Sequence, residues 1–264
     1  MDRAMTLTKG RLVMYGIWVD GHWDQVRRIN KQNGDQLRAW HYDEIYKLIH
    51  DLQRGCMIVN NHHLSTFPGK DYQTFERDLP GQNTGGGYSA GAVISAELPL
   101  ESNDIIGKSW GFVTNDTIDR PVKELLHLLI GSAGRGANFL LNTGPTPDGE
   151  IRQSHKDKLT GMGDWLKIYG ETIYGTRKSF MQPAEWGVAV EKGDRIYLHI
   201  IDPVKAGNQL ILKDFPYKIK KAKFFETGKP LKFQTDKETS SVTVLISGLD
   251  IEAIDNVIVL KVSK

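Results

Sequence analysis

The chain has 264 residues, with 34 Lys+Arg against 32 Asp+Glu and a formal net charge of +2. Apolar residues at 39% and charged residues at 25% exclude a disordered chain, and near-neutrality removes the electrostatic reason to expect nucleic acid or a membrane as partner. A single Cys excludes an intrachain disulfide, no apolar run approaches the ~20 residues of a bilayer span, and residues 1–8 show no signal core, so a soluble cytoplasmic chain is expected.

Residues 11–180 alternate strand and helix patterns. An apolar run over 12–19 predicts a buried strand that stops at Asp20-Gly21. Tyr42, Ile45, Tyr46, Ile49 and Leu52 recur at spacings of three and four, which predicts an amphipathic helix over 41–53. Cys56-Met57-Ile58-Val59 predicts the next strand, leaving at Asn60-Asn61-His62-His63 into a Gly-, Pro- and Asn-rich loop. Residues 92–100 read as extended, ending at Glu101. Pro121 can open a helix that Leu125, Leu126, Leu128, Leu129 and Ile130 carry to Gly134. Residues 138–141 predict a further strand, closed by the turn-rich segment 143–149, and residues 156–169 a last helix stopped by Gly170.

From about residue 183 the period becomes two. Runs at 187–190, 195–201, 209–212, 218–225, 241–247 and 256–262, separated by turn signals, predict an antiparallel β-sandwich. The expected fold class is α/β. Residues 1–180 form either an open α/β sheet or part of a (β/α)8 barrel, and residues 181–264 form the sandwich.

Polar residues just past the C-terminal ends of parallel strands point into the sites of such folds. By that rule the candidates are Asp20, Asn60 with His62 and His63, Glu101, and Asn142. Two of these exits carry a carboxylate, and a carboxylate pair facing one cleft is the minimum apparatus for glycosidic hydrolysis. Trp18, Trp23, Trp40 and Trp110 lie near the exits, where a ring can pack against a sugar. The plainer readings stand beside these. Asp-Gly after a strand is commonly a turn. Adjacent His62 and His63 face opposite ways on an extended segment, which favours hydrogen bonding over one shared metal ion. Thr84-Gly85-Gly86-Gly87 lacks the Lys-Ser/Thr of a phosphate-binding loop. Cys56 reads as a packed core thiol and the Lys-rich 218–223 stretch as a solvated strand face.

Six blocks go further: residues 17–23 (IWVDGHW), 56–63 (CMIVNNHH), 69–76 (GKDYQTFE), 98–101 (LPLE) with 109–112 (SWGF), 136–150 (GANFLLNTGPTPDGE) and 170–177 (GETIYGTR). In this order they closely resemble the α-L-fucosidases of glycoside hydrolase family 29. The resemblance implies a retaining exo-glycosidase that removes terminal α-L-fucose from oligosaccharides or glycoconjugates by double displacement, with no cofactor and no metal. Asp20 matches the nucleophile of the Trp-x-Asp-Gly motif. Glu76 matches the Gly-x-Asp-Tyr-x-Thr-x-Glu pattern that carries the acid/base in some members, and Glu101 is the runner-up. The acid should be protonated at rest, with a raised pKa, about 5–5.5 Å from Asp20. Trp18, His62 and Trp110 are the implied sugar contacts.

The family's earlier barrel strands, with a His-His-Asp-Gly motif that binds fucose hydroxyls, find no match in these residues. The resemblance therefore implies a partial (β/α)8 barrel before the sandwich, and exposed sheet edges that favour a homo-oligomer. The alternatives beside an active fucosidase are an inactive remnant or fucose-binding protein, and one half of a split enzyme.

Overall fold

The computed structural model describes residues 5–8, 11–21, 40–61, 69–82 and 93–263. The fold class is α/β. The chain divides into two compact units, Met1–Asp104 and Ile105–Lys264, so the change of period near residue 180 falls inside the second.

In the first unit, β1 (Met5–Thr8) and β2 (Arg11–Met14) form an antiparallel pair. After a bend at Tyr15, β3 (Gly16–Val19) pairs in parallel with β4 (Met57–Asn60). The single strand expected over 12–19 is therefore two strands, because the chain exchanges an antiparallel partner for a parallel one at Tyr15. The helix α1 (Tyr42–Leu52) carries Asp43 and Glu44 in its first turn, where carboxylates complement the helix dipole. Tyr42 and Tyr46 are buried with Ile58 of β4, flanked by Val19, Trp40 and Ile49. Ile45 and Leu52, expected on the same face, are 38% and 78% exposed, so the buried stripe is narrower than the period implied.

A second parallel pair joins β5 (Gln73–Glu76) to β6 (Leu100–Ile105), with Thr74 opposite Glu101 and Glu76 opposite Asn103. Asp71 ties this segment to β4. Its N–H donates to the Ile58 carbonyl at 2.8 Å, and its carboxylate accepts the Ile58 N–H at 2.6 Å. The sequence reading leaves 73–76 in a loop, since Phe75 alone among Gln73, Thr74 and Glu76 shows no apolar pattern, yet Gln73, Thr74 and Phe75 are all buried. β6 starts where the extended segment was expected to stop. Glu101 is therefore the second residue of a strand and does not lie at a strand exit.

The second unit contains α2 (Val122–Gly134), β7 (Ala137–Asn142) and α3 (Gln153–Tyr169), followed by a single helical turn at Gly170–Thr172. The remaining elements are β8 (Arg177–Lys178), β9 (Gly187–Lys192), β10 (Arg195–Ile200), the short α4 (Pro203–Ala206), β11 (Gln209–Leu212), β12 (Lys218–Phe224), β13 (Phe233–Asp236), β14 (Ser241–Leu245) and β15 (Asn256–Ser263). They make one five-stranded antiparallel sheet in the order β12-β15-β10-β9-β8 and one three-stranded sheet in the order β11-β14-β13.

Alternation along the strands separates two cores. Ile196, Leu198 and Ile200 of β10 pack with Leu210, Leu212, Val242 and Val244 of the three-stranded sheet. Tyr197, between them, turns to the opposite face and packs with Leu125 and Ile130 of α2 and Trp165 and Tyr169 of α3. The helices sit close on this face. A Cβ at Gly134 would lie 2.3 Å from that of Val188, so only glycine allows α2 its distance from β9.

Candidate active site

Parallel pairing carries strand exits to the same end. Val19 stands opposite Asn60, so the next residues, Asp20 and Asn61, leave β3 and β4 side by side. Alternation puts Trp18 on the same face of β3 as Asp20, and Trp18 is 37% exposed. Gly21 has φ 83°, a left-handed conformation that lets the chain turn away directly after Asp20.

Asn61 is the link between the two carboxylates. Its buried Nδ2 donates to Asp20 Oδ1 at 3.3 Å and to Glu76 Oε2 at 2.6 Å. A primary amide has two hydrogens, enough for both bonds. The two accepting oxygens are then at most about 6 Å apart, a ceiling that admits the ~5–5.5 Å of a retaining pair. Among the described residues its buried Oδ1 has no hydrogen-bond partner, so it remains able to accept a hydroxyl.

Asn60 points the other way. Its Nδ2 donates to the Tyr46 hydroxyl at 2.7 Å, and Tyr46 stacks on Tyr42, which stacks on Trp40. Burial pushes the Tyr42 phenol above its usual range, and the nearby Asp20 charge adds to the rise. Asn60 thus fastens the strand exit to α1 while Asn61 faces the carboxylates.

Thr74 and Glu76 share one face of β5 with Glu101 and Asn103 of β6. Asn103 Nδ2 donates to Thr74 Oγ1 at 2.8 Å. Glu101 lies two residues before Asn103, about 7 Å further from the strand exits than the level of Glu76. Its buried Oε1 has no hydrogen-bond partner among the described residues. Burial raises the Glu101 pKa, partly offset by the Thr74 hydroxyl, and Tyr72 is pushed up to about 12 by burial and by the Glu101 charge. The raised pKa expected of a resting acid is at Glu101, whereas the amide shared with Asp20 is at Glu76. Lys70, just before β5, is buried and pushed down to about 8 by that burial.

In the second unit Trp110 is 39% exposed, and its carbonyl accepts from Asn142 Nδ2 at 2.6 Å. Asn142 therefore holds loop backbone. The same loop is secured by Asp116, whose carboxylate accepts the N–H groups of Lys108 and Ser109 at 2.9 and 3.1 Å. Cys56 is a buried free thiol just before β4, and burial pushes its pKa up, which opposes a nucleophilic role. His62 lies outside the described residues, as do His22, Trp23, His63 and residues 84–87. Among the described residues, no group of three His, Cys, Asp or Glu is placed to hold a metal ion, and no helix is long and apolar enough to cross a membrane.

Asn61 and Thr74 lie inside the matched blocks without having been singled out as candidates, and Asn103 lies outside the blocks. Extending the β3–β4 register one residue past Asn60 finds the first. The other two belong to a strand pair with no apolar signature.

The model of the alpha-L-fucosidase family matches residues 13–171. An alpha-L-fucosidase of Branchiostoma floridae is 33% identical over 198 residues, which is 72% of this chain and 40% of that protein. The tissue alpha-L-fucosidase of Mus musculus is 34% identical over 90 residues, 33% of this chain and 18% of its own length. Among solved structures, the trapped covalent intermediate of the Bacteroides thetaiotaomicron GH29 alpha-L-fucosidase with 2-fluoro-fucosyl fluoride superposes with a TM-score of 0.70 at 21% identity, covering 95% of this chain and 57% of that one. Alpha-L-fucosidase isoenzyme 1 of Paenibacillus thiaminolyticus gives 0.66 at 24% identity over 86% of this chain and 54% of that one. The chain thus spans 40% of the Branchiostoma relative and little more than half of these solved structures.

Proposed function

Because the chain belongs to the α-L-fucosidase family, we propose that it hydrolyses terminal α-L-fucosides with retention of configuration, by double displacement, using Asp20 and Glu76. The observation that carries this reading is the Asn61 amide shared between the two carboxylates. Asp20 attacks the anomeric carbon while Glu76, as the acid, gives its proton to the departing glycosidic oxygen. Glu76 then takes a proton from water, the water oxygen bonds to the same carbon, and Asp20 leaves. Donation from Asn61 to both carboxyl groups holds them in one cleft. Trp18, exposed on the face of Asp20, offers its ring to the sugar. The covalent intermediate named for the Bacteroides enzyme supports the two-step course. Glu101 is the competing acid.

The same reading makes β3–β4 and β5–β6 part of a (β/α)8 barrel and the two antiparallel sheets a β-sandwich. It takes fucosylated oligosaccharides or glycoconjugates as substrates. It also takes the chain to self-associate, with Leu48 and Leu52, 58% and 78% exposed on α1, among the apolar groups that association would cover.

The test is release of 4-nitrophenol from 4-nitrophenyl α-L-fucoside. Activity should vanish in Asp20→Ala. With azide present, removing the acid/base should restore turnover and yield the α-fucosyl azide, whereas removing the nucleophile should yield the β-anomer. Azide rescue in Glu101→Ala and not in Glu76→Ala would transfer the acid role to Glu101. Equal activity in Asp20→Ala and the parent chain would overturn the assignment.

A further inference from the structure

The face of the five-stranded sheet that packs on α2 and α3 ends in a row of cations. Lys221 of β12 stands directly opposite Lys261 of β15, Lys261 opposite Arg195 of β10, and Arg195 opposite Lys192 of β9. Neighbouring strands are about 4.8 Å apart, and like charges directly opposite one another are destabilising. Lys223 stands one step along the same face of β12, opposite Val259. Protection of an exposed edge explains lysines on β12, which is the edge strand, but not cations on β15 and β10 in the interior of the sheet.

Some of this charge is matched. Arg195 pairs with Glu171, which also accepts the Tyr197 hydroxyl at 2.6 Å. That hydrogen bond and the Arg195 charge hold Glu171 below the usual carboxylate range, so it stays ionised. Lys261 faces Asp194 at 3.5 Å, and Lys192 Nζ donates to the Tyr174 carbonyl at 2.8 Å. Among the described residues Lys221 and Lys223 have no ion-pair partner, and both are exposed. With Glu171, Arg195, Lys261, Phe225 and Val259 they line a cavity of about 280 Å³.

We propose that this cavity is a second carbohydrate site, which takes a sugar bearing a sulfate or phosphate ester. With Arg195 Nη1 held by Glu171, the cations of the cavity without an ion-pair partner among the described residues are the Lys221 and Lys223 ammonium groups. These are point charges that suit a tetrahedral oxyanion and do not demand the planar, two-pronged geometry of a carboxylate. Phe225 and Val259, the apolar part of its lining, accept the C–H face of the sugar that carries the ester.

Calorimetric titration of the whole chain at fixed ionic strength tests this, with galactose 6-sulfate, galactose 6-phosphate, galactose and sodium sulfate as probes. At least one of the two esters should bind at least about tenfold more tightly than either galactose or free sulfate. Which ester binds identifies the group the site takes. The double variant Lys221→Gln/Lys223→Gln should lose at least about tenfold in that affinity, while Lys218→Gln/Lys220→Gln, with the same change of net charge outside the cavity, should not. Equal loss in both double variants would reduce the effect to diffuse edge charge and overturn the site. Equal binding of free sulfate would overturn its carbohydrate character, and no binding of either ester would overturn it altogether. Matching melting curves for both double variants confirm that folding is unchanged.

Discussion

The two regions bury different chemistry. Between residues 57 and 105 the strands and the residue after β4 bury Asn60, Asn61, Gln73, Thr74, Ser102, Asn103 and Asp104, and among the described residues Asn60 Oδ1, Asn61 Oδ1 and Ser102 Oγ have no hydrogen-bond partner. The sheets after residue 187 bury Ile196, Leu198, Ile200, Val244, Ile258 and Leu260, and the main buried polar exception, His199, donates to Asp255 at 2.6 Å. An unsatisfied buried polar group costs about 1–3 kcal/mol, whereas a buried aliphatic side chain contributes about 1.5–3 kcal/mol. Polar side chains collected at one end of parallel strands therefore weaken the fold locally, which is the cost expected of a site. Aliphatic side chains between antiparallel sheets supply stability and carry no chemistry.

Substitutions can break or sharpen that contrast. The largest effect is expected from Glu76→Gln, which keeps the shape near Asn61 and removes the acid. Turnover on fucosides with poor leaving groups should fall by roughly 10²–10⁴-fold, with little change in melting temperature. Leu198→Ala should do the reverse, costing about 2–5 kcal/mol in denaturant unfolding. If activity per folded molecule fell as far as stability, the two regions would not be separable in function. Asn61→Ala should reduce kcat by roughly 10²-fold, since one donor serving two carboxylates is lost. A change confined to KM would instead make Asn61 a ground-state sugar contact.

The smallest effect concerns Glu101. Burial raises its folded pKa above the unfolded value, so the folded state holds the proton more tightly. Its stabilising contribution is complete below the unfolded pKa and is lost as pH rises through the folded one. Glu101→Gln should therefore melt at about the parent temperature near pH 4 and above it near pH 7. The opposite ordering would mean that stabilisation of the Glu101 charge, to which the Thr74 hydroxyl contributes, outweighs the effect of burial.

Much was legible in residue order. The helix over Tyr42–Leu52 and the period of two after residue 183 correspond to observed elements, and the run before Asp20-Gly21 does so in its last four residues, as an exposed to half-buried strand and not a buried one. Glu101 misled because Leu98-Pro99-Leu100 looks like the end of an apolar strand, whereas the paired residues begin at Leu100 and run on through Asn103 and Asp104. A strand whose interior face is polar carries no hydrophobic pattern, and its pairing partner has to be known before its ends can be placed.

By itself the sequence determined the α/β class, the run of antiparallel strands and Asp20 as a strand-exit candidate, since periodicity is a property of the chain alone, and the family resemblance added Glu76. Only the tertiary structure decided that Asn61 and not Asn60 faces the carboxylates, that Glu101 lies below the strand exits, and that four cations form one row. Those facts depend on register between strands far apart in the chain, and register is set by which backbone groups pair.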